Sequence, residues 1–157
     1  MGLRRRWRTW RLGRISHING DLMELIIIKP DELRAHWPVI APALDSVIAA
    51  TSPDWIKEDV FHRIKSGEAV LHVVYGLGQY KCMFILTREV EEYSGNPSLH
   101  IWIAHNGGDA ESYNFGLEQI KQAARHFGAT RLTLESPRLG WAKRFRLVSA
   151  TYEVPLA

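Results

Sequence analysis

A chain of 157 residues with 46% hydrophobic and 24% charged residues is long enough for one domain with a real core, and its composition excludes wholesale disorder. The longest stretch free of Asp, Glu, Lys and Arg, Tyr93–Gly108, carries Ser, Asn, His and Gly, and a spanning helix needs ~20 mostly apolar residues, so no membrane segment is expected. The net charge of +3 is unevenly spread: Met1–Leu22 holds six Arg and one acid, and the remaining 14 basic and 16 acidic residues leave the rest of the chain at −2. Any pull toward nucleic acid therefore sits in the first 22 residues, and the body is not expected to bind it.

The leader, MGLRRRWRTWRLGRISHINGDL, lacks the apolar run of a secretory signal because Arg8, Arg11 and Arg14 interrupt it. Leu3, Trp7 and Trp10 could line a basic amphipathic arm, and a targeting peptide is a further alternative. Met23 opens MELIIIKPDEL, which reads as a chain start, so the leader is expected to be an upstream extension or a disordered tail, with a single domain over 23–157. The single cysteine, Cys82, excludes an intrachain disulfide and a cysteine-rich metal site. It lies in an apolar run and reads as a buried strand thiol; nothing requires an oxidising compartment, so a cytoplasmic location is expected.

Glu24–Lys29 is rich in isoleucine and predicts a strand. Asp31 caps a helical region in which Pro38 and Pro42 predict a break or kink before Ala50. A second helix is expected from Ser52 as cap and Pro53 as first helical residue, ending at Gly67. Glu68–Tyr75, Tyr80–Arg88 and Ser98–Ala104 follow as strands, with turns at Gly76–Gln79 and Ser94–Pro97, and predict an antiparallel meander. Tyr113, Leu117, Ile120, Ala124 and Phe127 then form one apolar stripe of a helix capped by Asp109 and closed by Gly128. Thr130–Glu135 is a strand, Ser136-Pro137 caps a short helix with Trp141, Phe145 and Val148 on one face, and Ala150–Leu156 is a last strand. The order β-α-α-β-β-β-α-β-α-β predicts an α/β domain with a mixed sheet covered by helices.

No P-loop, nucleophile elbow or zincin motif is present, and the seven His show no metal spacing, so no metal is expected. His100 and His105 are five apart, which on a regular strand points them to opposite faces. The informative stretch is His105-Asn106-Gly107-Gly108-Asp109-Ala110, between a strand and the best helix. Glycines allow a ligand to approach the backbone, and a helix N-terminus offers unpaired N–H groups, a combination suited to an anion or phosphate. A plain loop capped by Asp109 is the alternative. Arg138, Lys143, Arg144 and Arg146 cluster beside Trp141, either as a solvated face or as a site for phosphate or an acidic partner.

Element order and loop together resemble the GNAT acyltransferase fold, in which a Q/R-x-x-G-x-G/A loop after the fourth strand wraps the pyrophosphate of acetyl-CoA. His105-x-x-Gly108-x-Ala110 stands in that position and matches two of the three marked residues. Gly128–Leu132 resembles the family's central helix entering its next strand, and SPRLGW (Ser136–Trp141) is similar to the small GNAT-like proteins of bacteriophages and prophages. The resemblance implies acetyl-CoA as co-substrate, with pyrophosphate on Asn106–Ala110 beside His105, pantetheine along the backbone of Ile101, Ile103 and Ala104, and an amine acceptor. The chain departs from the family in placing Asp109 and Glu111 at the helix terminus, where each repels a phosphate by roughly 4 kcal/mol at 4 Å and an effective dielectric of 20. Arg144 and Phe145 stand where the family carries a catalytic tyrosine, leaving Tyr152 or Tyr113 as substitutes and His100 or Glu92 as a base. The resemblance thus implies either an acyl-CoA-dependent N-acyltransferase, or a catalytically silent relative from a phage or prophage that meets a phage or host protein, in the virion or in the host cytoplasm.

Overall fold

The computed structural model describes residues 14–18, 21–136 and 139–156. Six strands form one sheet in sequence order: β1 (Arg14–Ile18), β2 (Asp21–Ile28), β3 (Ala69–Gly76), β4 (Gln79–Val90), β5 (Pro97–Asn106) and β6 (Arg131–Leu134). The first five pair antiparallel and β6 joins β5 in parallel. Among the described residues three α-helices cover it: α1 (Leu33–Thr51), α2 (Lys57–Lys65) and α3 (Ala110–Phe127). A mixed sheet under helices is what the sequence predicts.

The sheet separates two cores. Phe84, Leu86, Leu99 and Ile101 meet the stripe Tyr113, Leu117, Ile120, Ala124 and Phe127 of α3 on one face. Leu71, Val73, Met83, Ile85 and Ile103 meet Leu33, Ile40, Leu44, Val60 and Ile64 of α1 and α2 on the other. Gly116 sits mid-helix in α3 because the helix lies so close to the sheet that a Cβ there would fall 2.6 Å from the Phe84 ring and 2.9 Å from Val74. Cys82 is buried, as expected, and burial pushes its thiol up to about 12.

Several expectations are corrected. β2 begins at Asp21 and pairs with β1, so residues 14–18 and 21–22 of the leader belong to the sheet; residues 1–13 lie outside the described ones. α1 is one unbroken helix through Pro38 and Pro42. Both prolines are exposed, so the carbonyls they deprive of a partner face water, while Ile40, Ala43 and Leu44 hold the other side to the sheet. Ser52 ends α1 in the left-handed region (φ 45°) rather than starting α2, whose first turn is capped at Ile56 by the Asp59 carboxylate, which accepts the Ile56 N–H at 2.9 Å. Leu139–Lys143 forms a 3-10 turn, and Ala150–Leu156 is not a strand: it is an exposed, irregular segment.

Candidate functional site: a forked strand and a glycine loop

β5 changes partners along its length. From Ser98 to Ile101 it lies between β4 and β6, and the last β6 rung is Ile101↔Leu134. Beyond that rung β6 departs, and among the described residues no strand lies beside the outer backbone edge of Trp102–Asn106. At the same point β5 bulges: Leu86 faces Ile101 and Ile85 faces Ile103, so Trp102 has no partner on β4. A bulge bends a strand and leaves its extra residue outside the ladder.

The bulge also shifts the side-chain phase. Leu99 and Ile101 face α3, yet Trp102 and the next residue, Ile103, both pack on the α1/α2 side. His100 and His105 consequently share that α1/α2 face instead of pointing apart, because one residue between them is taken up by the bulge. His100 Nδ1 bonds Thr133 Oγ1 at 2.8 Å, joining β5 to β6 at the fork. His105 Nδ1 bonds the Tyr80 hydroxyl at 2.8 Å, with the two rings stacked 5.8 Å apart. Burial lowers the pKa of the His105 imidazole and raises that of the Tyr80 phenol, so the pair is neutral on both sides. In the connection between α1 and α2, Trp55 lies edge-on to Trp102 at 6.0 Å, and the Arg63 guanidinium sits 4.5 Å from the centre of a Trp102 ring.

The glycine loop is shaped for close backbone approach, but its own polar groups fill it. Gly107 N–H donates to the Lys81 carbonyl at 2.9 Å, and a Cβ on Gly107 would fall 2.4 Å from that oxygen. Gly108 adopts φ 106° and donates to Asn106 Oδ1 at 2.9 Å. Asp109 caps α3: its Oδ1 accepts from Glu111 N at 3.1 Å and Ser112 N at 3.3 Å, and its Oδ2 accepts from Ser112 Oγ at 2.6 Å. Those bonds, with Ser112 Oγ foremost, hold the Asp109 carboxyl below its usual range. The capping amides of Glu111 and Ser112 are thereby engaged, leaving those of Asp109 and Ala110 as the donors of this terminus that Asp109 does not take.

The other sequence candidates disperse. Glu92 is exposed in the β4–β5 turn, at the opposite end of β5; at ~3.3 Å per residue the run from Pro97 to Trp102 spans roughly 17 Å. Tyr152 lies in the exposed C-terminal segment, and Tyr113 is buried against Phe84 and Trp141. Of the basic cluster, Arg144 bonds Asn114 at 3.2 Å and stacks on Trp141 and Phe145, while Arg138 lies outside the described residues. His100 alone among the expected acid–base groups stands at the fork. Sequence reasoning missed Thr133 because the β5/β6 register that sets it beside His100 is not local, and missed Tyr80, Trp55 and Arg63 because their partners' shared face depends on the bulge, for which the apolar run around Trp102 carries no signal. Among the described residues no group of His, Cys, Asp and Glu could hold a metal, and no helix is long and apolar enough to cross a membrane.

The fold is that of the GNAT acetyltransferases. The ribosomal-protein-alanine N-acetyltransferase of Brucella melitensis biovar Abortus 2308 superposes with a TM-score of 0.63 at 12% identity, over 86% of this chain and 99% of that one. An aminoglycoside acetyltransferase from an uncultured soil metagenomic sample gives 0.61 at 10%, over 86% and 99%, and a GNAT family acetyltransferase of Staphylococcus aureus 0.61 at 8%, over 85% and 98%. No protein-family profile and no curated protein sequence matches the chain.

Proposed function

We propose that the protein transfers an acyl group from an acyl-CoA thioester, acetyl-CoA first among them, to an amine. The fork between β5 and β6 carries this reading, because it opens a backbone edge at Trp102–Ala104 that an extended amide-bearing arm such as pantetheine can pair with. The loop fits acyl-CoA less well than the fork does. Gly107 and Gly108 permit close approach, but Asp109 holds negative charge on the helix end and engages two of its amides, so pyrophosphate rests on the amides of Asp109 and Ala110 alone. Recognition is therefore centred on the thioester arm rather than on the phosphates.

In this arrangement the amine nitrogen attacks the thioester carbon, the C–S bond breaks and the amine's proton passes to His100, oriented by Thr133. The backbone N–H of the bulged Trp102 polarises the carbonyl. A thiol of pKa ~8.5 is a tolerable leaving group as thiolate, so Phe145 in place of a proton donor does not block the step. The amines acted on by the structural neighbours, a ribosomal-protein alanine and an aminoglycoside, make peptide N-termini and amino sugars the first acceptors to try. Release of free CoA thiol from acetyl-CoA with those acceptors is the assay. His100→Gln is expected to slow it roughly 10²–10⁴-fold while leaving the melting temperature unchanged.

A second reading is favoured by the engaged loop amides: a catalytically silent GNAT-like protein, of the phage or prophage type that SPRLGW resembles, acting in the virion or the host cytoplasm through a phage or host protein. An absence of both thiol release and acetyl-CoA binding would select it.

A further inference from the structure

Away from the fork, β2, β3 and the first turn of α1 line an open cleft of about 290 Å³. Its floor is a cross-strand row. Glu24 stands opposite Tyr75, and Leu22 and Ile26 follow Glu24 at two-residue spacing on the same face, as the pleat requires. Ile26 and Tyr75 pack on the α1/α2 core, which fixes the face of the whole row. His36 of α1 lines the cleft from the helix side. Leu77 closes the end of the hairpin: its N–H donates to the Leu22 carbonyl at 3.2 Å, and its φ of 52° is a left-handed conformation unfavourable for a residue with a Cβ. Leu22 and Leu77 are 39% and 71% exposed, so the cleft offers apolar surface to a ligand. At three strand spacings, Glu24 lies roughly 14 Å from β5, outside the transfer site proposed at the fork.

We propose that this cleft is a second ligand site, which binds a small organic cation: a primary ammonium carried on an apolar ring or chain. The polar groups of the lining are one-sided. Glu24 supplies a carboxylate, Tyr75 a hydroxyl and His36 an imidazole, and none of the described lining residues is Lys or Arg. Among the described residues, none of these three side chains makes a hydrogen bond or an ion pair. A half-buried carboxylate with no counter-charge in its own fold is short of a cation. An ammonium brings three N–H donors and no acceptor, which suits a carboxylate, a phenol oxygen and an imidazole nitrogen lining one cleft. The Tyr75 ring adds a face that attracts positive charge. A metal ion is the poorer fit, because no group of three His, Cys, Asp or Glu gathers among the described residues. Leu22, Ile26 and Leu77 then take the ligand's hydrocarbon part, which a bare inorganic cation would leave in water.

The test is a titration of the full-length chain with benzylammonium, followed by the amide resonances in nuclear magnetic resonance, with benzyl alcohol as the uncharged control. Saturable shifts are expected in the amides of Leu22–Ile26 and Tyr75–Leu77, and the same shifts with acetyl-CoA present or absent. Glu24→Gln, which keeps the shape and removes the charge, should weaken binding at least roughly tenfold, and Tyr75→Phe about threefold. Both variants should melt with the unchanged chain, since neither side chain bonds another described residue. His100→Gln at the fork should leave the affinity as it is. Four results would overturn the proposal: no shift at tens of millimolar benzylammonium, shifts centred on Trp102–Asn106 instead, equal binding of benzyl alcohol, or full affinity in Glu24→Gln. None of them bears on thiol release at the fork, so the two readings fail separately.

Discussion

The two halves of β5 differ in the number of strands that hold them, and that difference separates structure from site. Pro97–Ile101 is clamped between β4 and β6, buries Leu99 and Ile101 under α3, and ties His100 to Thr133. Trp102–Asn106 has, among the described residues, a strand on one side only, begins with a bulge and runs into a glycine loop. One strand therefore supplies rigidity in its first half and an unpaired backbone edge in its second. Exposed main-chain polarity beside a rigid ladder is what an extended, amide-bearing substrate can use.

Substitutions that act on one half alone test this division. Leu99→Ala, in the closed half, removes a fully buried side chain and should cost about 2–5 kcal/mol of stability; urea unfolding measures it, and the dissociation constant for acetyl-CoA should not change at a temperature where the variant stays folded. A second, ligand-independent loss concerns His72, buried beneath the same α3 core, whose pKa is lowered to about 4 by burial. Its imidazole stays neutral in the folded chain while the unfolded chain takes up a proton below about pH 6.5. Stability is therefore full above that pH, falls by roughly 3 kcal/mol in all between pH 6.5 and 4, and levels off below. Unfolding midpoints across that window, lost in part for His72→Phe, check the sign.

In the open half, Gly107→Val must push the loop from the Lys81 carbonyl, which a Cβ would meet at 2.4 Å. A stability loss of about 1–3 kcal/mol is expected, together with a weakening of acetyl-CoA binding that Leu99→Ala does not produce. The smallest effect is the most diagnostic. Asp109→Asn keeps a competent cap but removes the negative charge from the helix end. Calorimetry should show CoA binding several-fold tighter and acetyl-pantetheine binding unchanged. Equal effects on both ligands would contradict the division between arm and phosphate.

The sequence revealed most where a single residue type has one physical meaning. Asp109, the 4-3-4-3 stripe and Gly128 marked α3 almost to the residue, and the β3–β4 turn at Leu77 and Gly78, both at positive φ, fell within the marked Gly76–Gln79. Pairing decided what the sequence could not. Proline content predicted a broken α1, but two prolines on the same exposed face leave the buried side intact. A last strand was expected at Ala150–Leu156, but the segment is irregular and exposed and pairs with no strand among the described residues. The site followed the same rule. The loop was readable from its glycines, whereas the shared face of His100 and His105 depends on one bulged residue, and no local pattern around Trp102 announces it.

The most direct measurement is the melting temperature of the full-length chain with and without acetyl-CoA and acetyl-pantetheine. A ligand at 100 times its dissociation constant adds about 2.7 kcal/mol, or roughly 5–10 °C for a domain of this size. A rise of that order with both ligands is what the proposed recognition of the thioester arm at the fork predicts. A flat response to both would contradict the account.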